Sequence, residues 1–83
     1  MNQSIQVLDG FGYITAKDAI KIEVMAAGQM MACYVTGLDE ENLISLYKTK
    51  QFEIEEIIEQ NLKLEKFNAD GEIWLTAEEV FAY

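Results

Sequence analysis

The stretch AIKIEVMAAGQMMACYVT, residues 19–36, decides how the chain reads. Over residues 19–26, Ile20, Ile22 and Val24 alternate with Lys21 and Glu23, the two-residue period of a half-buried strand. Ala27-Gly28-Gln29 offers a hairpin connection, and Met30 to Thr36 is then apolar at nearly every position. A strand of that kind belongs at the centre of a sheet or is covered on both faces.

Working outward, Ser4-Ile5-Gln6-Val7 alternates in the same way and ends in the glycine-bearing turn Asp9-Gly10-Phe11-Gly12. Downstream the spacing becomes helical. Asp39 is the expected N-cap, Glu40 and Glu41 suit the positive end of a helix dipole, and Leu43, Leu46 and Tyr47 recur at i, i+3, i+4. A second helix is expected from about Phe52 to Phe67, with Ile54, Ile57, Ile58 and Leu62 as its buried stripe. No breaker residue between Lys48 and Gln51 decides whether the two are separate or one kinked helix. Asn68-Ala69-Asp70-Gly71 is a stop-and-turn signal, Glu72-Ile73-Trp74-Leu75 a short strand, and Thr76-Ala77-Glu78-Glu79 a capping box. The expected fold class is α+β in one domain, residues 1–83. It is a small antiparallel sheet of about four strands, in the order β-β-β-α-α-β, with two helices packed on one face and a short C-terminal helix.

Half of the residues (51%) are hydrophobic, enough for one core, so intrinsic disorder is not expected. The single cysteine, Cys33, allows no intramolecular disulfide, and Met1-Asn2-Gln3-Ser4 lacks the basic start of a secretory signal. The longest apolar run, Met30 to Val35, is far short of the roughly 20 residues that span a bilayer. A cytoplasmic location is the expectation.

Fifteen acids stand against six basic residues, all lysine, with no histidine, giving a net charge of −9. From Leu38 onward twelve acids face four lysines, so −8 of it lies in the helical half. Nucleic-acid and anionic-membrane binding need a basic face, and this chain repels both. A double-stranded-RNA-binding module is excluded on order as well, since it begins with a helix.

Few segments suggest chemistry. Asn68-Ala69-Asp70-Gly71-Glu72-Ile73 looks like the middle of a calcium loop, but in that register the first ligand is Lys66 and the twelfth is Ala77. Cys33 has no histidine to activate it, and one cysteine without histidine cannot make a zinc site. Glu53, Glu55, Glu56 and Glu59 read as a solvated helix face, with Glu59 and Lys63 favourably spaced at i, i+4. No catalytic, cofactor-binding or metal-binding residues are expected, and no enzyme. Tyr34, Tyr47, Phe52, Phe67 and Trp74 are mostly expected in the core, whereas Phe81 and Tyr83 are candidates for an exposed contact. Met25, Met30 and Met31 offer an adaptable surface or core filling.

The opening MNQSIQ, then Cys33-Tyr34-Val35-Thr36, Phe52-Glu53-Ile54-Glu55-Glu56 and Asp70-Gly71-Glu72-Ile73-Trp74-Leu75, occur in an order that resembles the YrdB-like family of small bacterial proteins, a domain of unknown function. The resemblance runs from Met1 to about Leu75. Tyr13 stands where members tend to carry tryptophan, the segment after Thr36 is shorter, and Lys48 and Gln51 replace arginines. It implies a small cytoplasmic α+β fold and brings no catalytic residues.

The functional expectation is a non-catalytic interaction or regulatory module whose acidic helical face meets a protein with a basic surface. Its partner surface is Glu53, Glu55, Glu56, Glu59, Phe81 and Tyr83. The alternatives are an acidic mimic of nucleic acid that occupies a nucleic-acid-binding protein, and, further off, a carboxylate-based enzyme. Homodimerisation through a strand edge or the Phe81/Tyr83 tail is compatible with each.

Overall fold

The computed structural model describes residues 5–83; Met1 to Ser4, including Ser4 of the first expected strand, lie outside the described residues. The elements are β1 (Ile5–Val7), β2 (Gly12–Ile14), β3 (Ala19–Ala26), β4 (Gln29–Thr36), α1 (Glu40–Thr49), α2 (Gln51–Lys63), β5 (Glu72–Thr76) and α3 (Ala77–Ala82), with a 3-10 turn at Thr15–Lys17. The α+β layout is the expected one.

The long hairpin is the frame. β3 and β4 pair antiparallel along their full length, from Ala19↔Thr36 to Ala26↔Gln29. Only Ala27 and Gly28 form the loop, both at positive φ, the pattern of a type I′ turn whose twist matches the strands. On the outer edge of β3, β1 pairs with Val24–Ala26 and β2 with Ala19–Lys21, so two short strands make one interrupted edge. The excursion between them carries Phe11 to Tyr47 of α1, with ring centroids 4.5 Å apart. β2 is not among the expected strands: it starts at Gly12, the last residue of a stretch whose glycines signal a turn.

On the inner edge β5 joins β4 in parallel, with Cys33↔Ile73 and Val35↔Leu75 in register. The sheet is therefore mixed, where the sequence suggested a purely antiparallel one. A parallel neighbour needs a crossover to the far end of the sheet, and here α1 and α2 together supply it.

Ile20, Ile22 and Val24 of β3, Cys33 and Val35 of β4, and Ile73 and Leu75 of β5 form the inner face of the sheet. Leu43, Leu46 and Tyr47 of α1, Ile54, Ile57, Ile58 and Leu62 of α2, and Val80 of α3 close over it. The two long helices are separate: Lys50 alone leaves helical geometry (φ −122°, ψ 27°), with the Lys50 N–H bonded to Leu46 O and the Ile54 N–H to Lys50 O. The Thr49 hydroxyl, donating back to the carbonyl oxygens of Ser45 and Leu46, marks the break. Asp39 occupies the N-cap position of α1, but its side chain accepts from Asn42 Nδ2 instead of a backbone N–H.

α2 ends at Lys63, four residues before the expected Phe67. The Glu65 N–H donates to Leu62 O and the Lys66 N–H to Asn61 O, a Schellman closure with Glu65 at φ +56° in the position glycine favours. The capping box of α3 is as read: Thr76 Oγ1 accepts from the Glu79 N–H, and the Glu79 carboxylate accepts from the Thr76 N–H.

Two stability outcomes are expected in urea denaturation. Glu65→Gly relieves a left-handed non-glycine residue and raises stability by about 1 kcal/mol. Ile22→Ala, at a fully buried position, lowers it by about 2–5 kcal/mol.

Candidate functional site

Two surfaces remain once the core is closed. The first is the outer side of the helical layer, where the sequence placed its candidates. Tyr83 folds back onto α2, its hydroxyl accepting from Gln60 Nε2 at 3.1 Å, with Glu56 and Glu53 near enough for their charges to act on it. Partial desolvation pushes the Tyr83 phenol up, and the charges of Glu56 and Glu53 add to this. Glu53, Glu56 and Tyr83 are thus brought together. Glu59 is exposed on the same helix, and Glu55 stands apart, accepting from Gln51 Nε2 at 3.3 Å. Phe81, 60% exposed, lies by a shallow groove with Leu38, Asn42, Ser45, Leu46 and Thr49. Phe52 is 68% exposed, which corrects the core assignment made from its size. On α2 it falls on the side away from Ile54, Ile57 and Ile58.

The second surface is the sheet face that no helix covers. Strand alternation turns Lys21, Glu23 and Met25 of β3, Met30, Ala32 and Tyr34 of β4, and Glu72 and Trp74 of β5 to this side. Register aligns them in rows: Lys21, Tyr34 and Trp74 lie side by side, and Glu23, Ala32 and Glu72 form the next row. The Tyr34 and Trp74 rings stack at 4.7 Å and 23°, with Lys17 Nζ 5.3 Å from one centroid and 5.8 Å from the other. Tyr34 is buried by this arrangement, and Trp74 stays 42% exposed. Tyr34 and Tyr47 are buried as expected, whereas Trp74 and Phe67 are not. Met30 is exposed, and Met25 and Met31 are half-buried.

Glu72 fixes the tryptophan. Its Oε1 accepts from Trp74 Nε1 and from Asn68 Nδ2, both at 3.1 Å. The hydrogen bond from Asn68, then that from Trp74, then the charges of Lys17 and Lys21 hold its carboxyl below the ordinary 4.5. The turn before it is locked by Asn68 Oδ1, which accepts the N–H groups of Asp70 and Glu72. Here the segment that looks like part of a calcium loop is a strand-entry turn. Among the described residues no three His, Cys, Asp or Glu side chains are placed to hold a metal ion.

Cys33 is fully buried on the inner face, and burial pushes its thiol up to about 12. The Tyr47 hydroxyl is buried without a hydrogen-bond partner among the described residues. No helix among the described residues is long and apolar enough to cross a membrane.

Two measurements follow from these groups. Cys33 reacts with an aromatic disulfide reagent at pH 8 only as fast as the protein opens, and at once in denaturant. The Glu72 carboxylate contributes stability that is complete above about pH 4.5 and lost as pH falls through its lower folded value. Trp74 emission therefore changes with a midpoint below 4.5, and Glu72→Gln removes that transition.

No family profile matches the chain, and no curated protein matches it. A solved structure is similar: a protein of unknown function from the DUF1488 family of Shewanella loihica PV-4, 26% identical, with a TM-score of 0.76. The match covers 90% of this chain and 94% of that one. The likeness supports a small α+β domain of unknown function and does not carry the YrdB-like name.

Proposed function

We propose that the protein is a non-catalytic interaction or regulatory module of the bacterial cytoplasm, as the YrdB-like resemblance implies, and that its helical layer meets a basic protein surface. The observation that carries this reading is the coincidence of apolar anchors with acid. Phe52 and Phe81 are more than half exposed on a layer that holds Glu53, Glu56 and Glu59. Aromatic anchors supply the affinity of a protein contact, and the surrounding carboxylates steer and select a cationic partner. The absence of histidine and arginine from the sequence, and a cysteine whose thiol burial holds at about 12, favour binding over catalysis. The mimic reading draws less support. A nucleic-acid mimic needs an extended row of acids, and Glu55 stands apart from Glu53 and Glu56 beside Gln51.

The test is affinity capture from native lysate at low and moderate salt. The wild type is expected to recover a basic protein whose yield falls steeply with salt. Glu53→Lys/Glu56→Lys/Glu59→Lys is expected to lose it, and Phe81→Ser to weaken it about tenfold or more. A partner recovered equally by all of them would place the contact elsewhere.

A further inference from the structure

The uncovered sheet face differs from the rest of the surface in charge. Lys17 and Lys21 nearly balance Glu23, Glu72 and the rim residue Asp70, two lysines against three acids, so −8 of the net charge of −9 lies off this face. It also carries Met25, Met30, the Tyr34–Trp74 stack and a strand, β4, that is apolar on both of its sides. Parallel pairs such as β4 and β5 are ordinarily covered on both faces.

We infer that this face is the seam of a two-fold symmetric homodimer, in which a second copy packs its own open sheet face against the first. The charge pattern is self-complementary. The Lys21–Tyr34–Trp74 row and the Glu23–Ala32–Glu72 row run side by side across the strands. A two-fold axis lying between the rows and parallel to them turns each row onto the other. Lys21 of one copy then faces Glu23 of the second, and the Lys17-capped Trp74 faces Glu72 of the second. The helical layer, by contrast, would bring Glu53, Glu56 and Glu59 against the same acids of the second copy.

The area suffices. Four strand widths of about 4.8 Å and a hairpin eight residues long give about 500 Å² per copy, so a pair removes about 1,000 Å², the lower bound for a specific interface.

The alternative seam, the β5 edge, is already closed. Both backbone groups of Glu72 are bonded to Asn68, and the Thr76 N–H is bonded to the Glu79 carboxylate. Of the outward-facing backbone groups there, those of Trp74 remain.

Sedimentation equilibrium and Trp74 emission, followed together from about 1 μM to about 1 mM, test the seam over the range where interfaces of this size associate. The expected result is a mass approaching twice the 9.5 kDa of the chain, with Trp74 emission moving to the red on dilution over the same range. Lys21→Glu alone and Glu23→Lys alone each weaken association about tenfold. An equimolar mixture of the two variants associates as well as the wild type, because each cross-pair is again opposite in charge. Monomer throughout the range overturns the seam. So does a dimer that neither variant weakens, or one whose formation leaves Trp74 emission unchanged. Loss of lysate capture by the variants of α2 and Phe81 leaves this result untouched, so the two readings fail separately.

Discussion

β4 is hydrogen-bonded along both edges, antiparallel to β3 and parallel to β5, and the parallel joint governs the rest of the molecule. No tight turn can deliver a parallel neighbour; the chain must cross from one end of the sheet to the other. α1 and α2 are that crossing. Because both lie on the same side, the sheet acquires one face covered by helices and one left open by them, and the apolar stripes of the helices fall where Ile22, Cys33 and Ile73 need cover.

Charge follows from the same geometry. Residues after Leu38 carry −8, and most of them belong to helices whose outer sides are solvated. Of the α2 carboxylates, Glu53, Glu55 and Glu56 are half-buried and Glu59 is exposed. The hairpin contributes only Lys21 and Glu23 to the open face, and the turn at Thr15–Lys17 swings Lys17 over the rings of Tyr34 and Trp74. A strongly acidic protein thus keeps one nearly neutral, aromatic plane. Its two sides would address different kinds of neighbour: the helical side a cationic one, the sheet side one with the same mixed pattern.

Much of this is legible in the residues, for identifiable reasons. Lys21 and Glu23 between isoleucines define the faces of β3, and Thr76 with Glu79 announces the last helix, because both signals are local. The parallel placement of β5 is not local, since the period of a strand does not name its neighbour. The end of α2 is hidden because Glu65 adopts a conformation that glycine would have advertised, while Gly71 draws the eye six residues too far. Size alone sends Trp74, Phe52 and Phe67 to the core. For Trp74 the correcting signal was present: alternation with Ile73 and Leu75 puts it on the opposite face, beside Glu72.

Glu79 serves two structures at once. Its backbone N–H donates to Thr76 Oγ1 to start α3, and its carboxylate accepts the N–H with which β5 would otherwise continue the sheet. Helix initiation and sheet termination are therefore one event. Loss of that helix start would free the Thr76 N–H beside exposed Trp74, at one end of an edge whose other end stays closed by Asn68. The same few atoms of Glu79 thus shape both a helix start and a strand end, and help Asn68 guard the edge of β5 against a neighbour that would pair there.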